Sequence, residues 1–105
     1  GNEKSFMRII SVKKLRDFIE KHPQSKTSLE AWWYEAKTAN WQNSQQIKAK
    51  YASASFIGNN RVVFNIKGND FKLVVAIAYR FGAIYIKFVG THDEYNKIDV
   101  MTVEN

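Results

Sequence analysis

Three lysines, a histidine and a tyrosine in the second half of the chain have chemistry that could act together: Lys67, Lys72, Lys87, His92 and Tyr95. An ammonium group brings a compact positive charge and three donors, suited to the oxygens of a phosphate. An imidazole, with an ordinary pKa of about 6.5, takes or gives a proton near neutrality. A phenol can share a proton transfer or stack its ring on a base. Such a set could stabilise negative charge and move protons, provided the fold gathers it.

Alternation along strands is what would gather it. Residues 61–95, RVVFNIKGNDFKLVVAIAYRFGAIYIKFVGTHDEY, read as three antiparallel strands joined by turns at Gly68-Asn69 and Phe81-Gly82. Setting Ile66 opposite Phe71 places Phe64 by Leu73 and Val62 by Val75, a wholly apolar face. Setting Tyr79 opposite Ile84 places Ile77 by Ile86 and Val75 by Phe88, which would extend that face. The reverse face then carries Asn65 opposite Lys72, Ala76 opposite Lys87, Ala78 opposite Tyr85 and Thr91 beside Lys72, with Lys67 one step towards the first turn. Val74, Ala76 and Ala78 would form a shallow floor rimmed by the three lysines, and His92 and Tyr95 leave the last strand close by.

Upstream, residues 7–11 (MRIIS) read as a short strand. Ser11 fits a helix cap, followed at helical spacing by Val12, Leu15, Phe18, Ile19 and His22. A second helix starts near Pro23, or at a capping box from Thr27 to Glu30, with Leu29, Trp32, Trp33, Ala36 and Asn40 as its buried stripe. Residues 43–51 suit a short helix capped by Asn43, and residues 52–60 read as irregular. The expected class is α+β: two N-terminal helices packed on one face of a twisted antiparallel sheet of about four strands, the N-terminal strand at its edge. Residues 1–6 show no periodic pattern and read as a non-native or disordered leader, leaving residues 7–105 as a single domain.

The chain has 105 residues, no cysteine and a formal charge of +6, from sixteen Lys and Arg against ten Asp and Glu. A domain of this size buries roughly two-thirds of its unfolded surface, enough for one core. Disulfides and thiolate metal sites are excluded, which fits a reducing compartment. There is no metal-ligand spacing, phosphate-binding glycine loop or nucleophile elbow, so no metal and no cofactor are expected. The positive charge suits RNA, DNA or an acidic protein, although charge alone fits an ordinary solvated surface equally well. No apolar run could span a bilayer and the N-terminus lacks a secretory pattern, so a soluble cytoplasmic protein without a membrane partner is expected.

Each candidate has a plainer reading. His22 beside Pro23 suits a partly buried histidine, Asp93 and Glu94 suit solvated acids, and His92 could merely close a turn. Trp32 and Trp33 fall at core spacing, Trp41 is undecided, and Tyr85 and Tyr95 are better placed to stack on bases.

The segments FNIKGN (residues 64–69) and GTHDEYNKID (residues 90–99), with KHP and AWW upstream, give the chain after Met7 a resemblance to the HigB family of bacterial toxins in the RelE-like group. The resemblance implies a RelE-like fold and a toxin that cuts messenger RNA on the ribosome. It also implies a cognate HigA-like helix-turn-helix antitoxin. Carried over residue by residue, it implies phosphate-binding roles for Lys67, Lys72 and Lys87, and acid/base or stacking roles for His92 and Tyr95. Lysine instead of the arginine of some relatives at positions 72 and 87 gives a point charge without a bidentate fork.

The expected chemistry is attack of the RNA 2′-hydroxyl on the adjacent phosphorus. His92, Lys87, Lys72 and Tyr95 would be catalytic, and Lys67, Arg61, Arg80 and Tyr85 would hold RNA. Two other functions stay open from sequence: a ParE-like poison of DNA gyrase, and a non-catalytic binder of RNA or of an antitoxin segment.

Overall fold

A computed structural model describes residues 6–104; residues 1–5, most of the leader read from sequence, and Asn105 lie outside the described residues. The centre is an antiparallel ribbon of three strands, β3 (Arg61–Ile66), β4 (Phe71–Ala78) and β5 (Ala83–Thr91). Two short strands flank it. β1 (Arg8–Ile10) runs parallel to β5 and β2 (Ser55–Ile57) antiparallel to β3, giving the order β1-β5-β4-β3-β2. The sheet thus has five strands rather than about four, because part of the stretch read as irregular pairs with the edge of β3.

The first hairpin has the register its pattern predicts: Ile66 pairs with Phe71, Phe64 with Leu73, Val62 with Val75 and Asn65 with Lys72. Its loop spans residues 67–70, with Lys67 and Gly68 both left-handed.

The second hairpin differs. A 3-10 turn over Tyr79–Phe81 closes on a left-handed Gly82, so the loop takes four residues and Tyr79 does not pair with Ile84. Ile84 pairs with Ile77, Tyr85 with Ala76, Ala83 with Ala78 and Ile86 with Val75. The register then shifts. Phe88 pairs with Val74, Gly90 with Lys72 and Thr91 with Phe71, leaving Lys87 as an extra residue in β5 without a partner on β4. Such a bulge reverses the alternation beyond it. Ile84 and Ile86 face the helices, whereas Phe88 faces the other way.

The helices cover one face. In α1 (Lys13–Lys21) and α2 (Lys26–Thr38), Leu15, Phe18, Leu29, Trp32 and Ala36 pack on Phe64, Leu73, Val75 and Ile77. Ser11 is not the cap of α1: its backbone is left-handed (φ 73°), and the helix starts after Val12 without a side-chain cap. Pro23–Ser25 form a 3-10 turn, so α2 starts at Lys26, one turn later than Pro23, and the capping box from Thr27 does not form. Asn40 lies past the end of α2 and is exposed. Asn43 does cap α3 (Ser44–Lys50), its Oδ1 accepting from the Gln46 amide at 3.0 Å. Trp41 is buried and stacks on Phe64, ring centres 6.2 Å apart. The Tyr51 hydroxyl donates to the Glu35 carboxylate; burial first, and then this bond, push the phenol well above its ordinary pKa.

The opposite face is not fully open. Val63, Val74 and Phe88 form a second small core, roofed by Ile57, Tyr95, Ile98, Val100 and Val103. Val74 is therefore buried and is not a floor, since the bulge gives the downstream segment an aromatic ring to dock on. Gly90 makes room for that ring: a β-carbon there would lie 2.4 Å from Phe88 Cζ.

If this second core holds the downstream segment, Phe88→Ala lowers unfolding stability by about 3 kcal/mol or more, the usual cost of emptying a buried phenylalanine site. Urea denaturation checks it, and a loss below about 1 kcal/mol would show that the ring is not packed.

Candidate active site on the basic sheet face

The basic face runs across the open edge of this second core, and its groups form a row along the ribbon rather than one knot. At one end Lys67 stands in the β3–β4 loop, exposed and left-handed (φ 53°). A non-glycine residue seldom takes that conformation, and here it turns the side chain out of the sheet's alternation. Lys67 shares a wide, open depression with Asn69, Asp70, Thr91, His92 and Asp93.

His92 is exposed as the first residue of a one-turn helix, α4 (His92–Tyr95). A reciprocal capping box fixes that turn: Thr91 Oγ1 accepts from the Glu94 amide at 3.2 Å, and Glu94 Oε1 accepts from the Thr91 amide at 2.7 Å. Glu94 is therefore a capping residue as well as an exposed acid. The pattern Thr-x-x-Glu in residues 91–94 was the signal for it. Asp93 remains exposed. The helix holds His92 outward and Tyr95 inward on one short rigid turn, so the two side chains keep a fixed relation to β5.

In the middle of the row, Lys72 points onto this face from β4 and donates to the Asn65 side-chain oxygen directly across the hairpin. Its ammonium also lies 5.4 Å from the centre of the Tyr95 ring. Asn65 was not among the residues singled out for function, although the hairpin register already placed it opposite Lys72. Neutral amide and aromatic face together aim a half-buried ammonium without neutralising it.

Lys87 sits at the bulge, displaced from Lys72 by one strand spacing and about two to three residues, on the order of 10 Å between backbones. It neighbours Tyr85, 5.6 Å from ammonium to ring centre, and makes an ion pair of 2.8 Å with Glu104. Lys72 and Lys87 therefore stand on either side of the paired Val74 and Phe88 of the second core. Ala76 and Ala78 line the depression beside Tyr85 and Lys87, which keeps part of the floor read from sequence.

The two arginines lie elsewhere. Arg61 is buried, not exposed at a strand end: its guanidinium donates to the Val103 carbonyl at 2.6 Å and contacts Glu104 at 3.2 Å. Its pairing with Ala76 places it under residues 103–104, which only the path of the downstream segment reveals. Arg80 is exposed on the 3-10 turn at the opposite end of β4 from Lys67, its guanidinium over the Phe81 ring. His22 packs on Phe18, ring centres 4.5 Å apart, outside the row.

Lys14 and Glu104 were also missed. The Lys14 ammonium donates to the Ile86 carbonyl at 3.3 Å and to the Glu104 main-chain carbonyl at 2.9 Å, closing the β5 edge beyond β1. Burial, followed by the nearby Lys87 charge, lowers its pKa, with Glu104 opposing. The Lys87 hydrogen bond holds the Glu104 carboxyl below the usual range, assisted by the charges of Lys87 and Arg61. Among the described residues no three His, Cys, Asp or Glu side chains gather as they would to hold a metal ion.

Residues 25–98 match the family model of the HigB toxin, a RelE-like toxic component of a toxin-antitoxin system. The chain is also similar to the mRNA interferase toxin HigB of Escherichia coli (strain K12), 32% identical over 92 residues, covering 86% of this chain and 88% of that protein. The proteins named mRNA interferase HigB from Escherichia coli O157:H7 and from Shigella flexneri match with the same identity and coverage.

The tether at Glu104 has a titration that tests it. A group whose folded pKa is depressed adds stability above its unfolded pKa of about 4.3, and loses it as pH falls through the lower folded value. Carboxyl NMR should therefore place the Glu104 midpoint below that of a free glutamate, and Lys87→Met should move it back up. An ordinary midpoint that ignores the substitution would contradict the ion pair.

Proposed function

Because this chain belongs to the HigB family of RelE-like toxins, we propose that it is an endoribonuclease that cuts messenger RNA engaged on the ribosome. The observation that carries this reading is the row of Lys67, Lys72 and Lys87 beside an outward-facing His92, in a chain of that family.

The reaction needs groups of these kinds. The ribose 2′-oxygen attacks the neighbouring phosphorus; the new O2′–P bond forms as the P–O5′ bond breaks. The proton lost from the 2′-hydroxyl goes to a base and the departing 5′-oxygen receives one from an acid, leaving a cyclic phosphate and a 5′-hydroxyl. Negative charge builds on the non-bridging oxygens, where Lys72 and Lys87 would donate. Holding Lys72 on Asn65 and Tyr95 sets it in place beforehand, so less reorganisation accompanies the reaction. His92 is the candidate for proton transfer, an effect of about 10²- to 10⁴-fold in rate, and Tyr95 for stacking or a shared proton. Lys67, Tyr85 and Arg80 would track the flanking RNA, whereas Arg61 lies beneath the Glu104 carboxylate.

As the toxic component of a toxin-antitoxin system the chain has an antitoxin partner, for which a helix-turn-helix protein is the proposed form. No helix among the described residues is long and apolar enough to cross a membrane. The relatives are named mRNA interferases, which favours messenger RNA as the target over poisoning of gyrase and over binding alone.

Purified ribosomes programmed with a defined message test the reading. The wild-type chain should cut the message, and His92→Ala or Lys72→Ala should slow cutting by about 10²-fold or more with melting temperature unchanged. Full cleavage by both variants would remove these residues from the site, and tight binding without scission by the wild type would remove the activity.

A further inference from the structure

Resting on the RNA-cleaving reading above, we propose that Arg61 and Lys87 form a phosphate-binding subsite. The chain's own Glu104 carboxylate occupies it until a phosphodiester of the substrate displaces it. One carboxylate bridges both cations: Oε1 meets the Lys87 ammonium at 2.8 Å and Oε2 the Arg61 guanidinium at 3.2 Å.

The partners differ in freedom. Arg61 is 3% exposed and its guanidinium is anchored on the Val103 carbonyl, so its charge is fixed and little screened. Its Nε has no hydrogen-bond partner among the described residues. The Glu104 side chain is 64% exposed and can swing out without disturbing either core. Val103 stays docked on the second core, its amide donating to the Asp99 carbonyl at 3.0 Å. Held cations facing a releasable anion make a site whose occupant can be exchanged.

Charge and shape fit a phosphodiester. Lys14, Arg61 and Lys87 together outweigh the single carboxylate, and the hydrogen bond from Lys14 to Glu104 goes to its main-chain oxygen, not to the carboxylate. Two non-bridging phosphate oxygens present acceptors much as a carboxylate does. Beside the pair, the depression floored by Ala76 and Ala78 leaves room for a nucleotide, and the exposed Tyr85 ring offers a stacking surface. Glu104 therefore competes with RNA for Lys87, and the free toxin binds more weakly than its cations alone would allow.

The test measures binding of a 2′-O-methylated single-stranded RNA to the isolated full chain by fluorescence anisotropy across salt concentrations. Glu104→Gln should tighten binding about two- to fivefold, the range that one exposed ion pair is worth. Glu20→Gln, an equal change of charge on α1, should leave the affinity at the wild-type value. Lys87→Gln should reduce the slope of log affinity against log salt by about 0.7, one phosphate contact on a single strand. Equal affinities of wild type and Glu104→Gln, an equal gain in Glu20→Gln, or no RNA binding by any variant would overturn the proposal. So would a Glu104→Gln protein that melts lower and binds more weakly, since Glu104 would then be only a structural tether. Binding is read without ribosome or cleavage. Absence of scission would count against the activity alone, whereas an unmoved Glu104→Gln affinity would remove the subsite whether or not message is cut.

Discussion

The extra residue in β5 decides what each side of the sheet can be. Before it, Ile84 and Ile86 point at the helices and complete the main core. After it, Phe88 points the other way and seeds a second core with Val63 and Val74. Lys87, at the bulge itself, takes no ladder partner and leans to the side where Arg61 and Glu104 meet. A sheet without the bulge would send Phe88 under the helices, leave residues 98–103 without an anchor, and lose the wall against which Tyr95 rests.

From that reversal follows the character of the basic face. It is bounded at one end by the β3–β4 loop with Lys67 and at the other by the docked downstream segment. Within it the cations are held by uncharged groups at Lys72 and by a carboxylate at Lys87. The two lysines are therefore prepared differently: one is available as it stands, the other must exchange one anion for another. α4 adds the imidazole on a single turn whose capping box ties it rigidly to the end of β5. Rigid support of this kind is what the proton-transfer role proposed for His92 requires.

Much of this is written in the residue pattern. The register of β3 on β4 follows from unbroken alternation, since a slip by one would expose Val62, Phe64 and Ile66 together. The helices, the edge placement of the N-terminal strand and the Asn43 cap follow from spacing and side-chain chemistry. The second hairpin does not, because a four-residue loop with a left-handed Gly82 and a two-residue turn leave similar signatures, and a bulge leaves almost none. Misplacing Phe88 hid the second core. Without that core, nothing indicated that residues 98–104 fold back to bury Arg61 and to neutralise Lys87. His92 and Tyr95 were legible as chemistry, but their common support on one capped turn was not.

The central claim is that messenger RNA is read by the side of the sheet turned away from α1 and α2. A structure of the toxin on a ribosome, stalled on a message carrying a 2′-O-methyl group at the cleavage position, tests it most directly. The claim predicts the scissile phosphate between the ammonium groups of Lys72 and Lys87, with the His92 imidazole within roughly 3 Å of a reacting oxygen. A message lying across the helical side, with these groups facing away from it, would contradict the account.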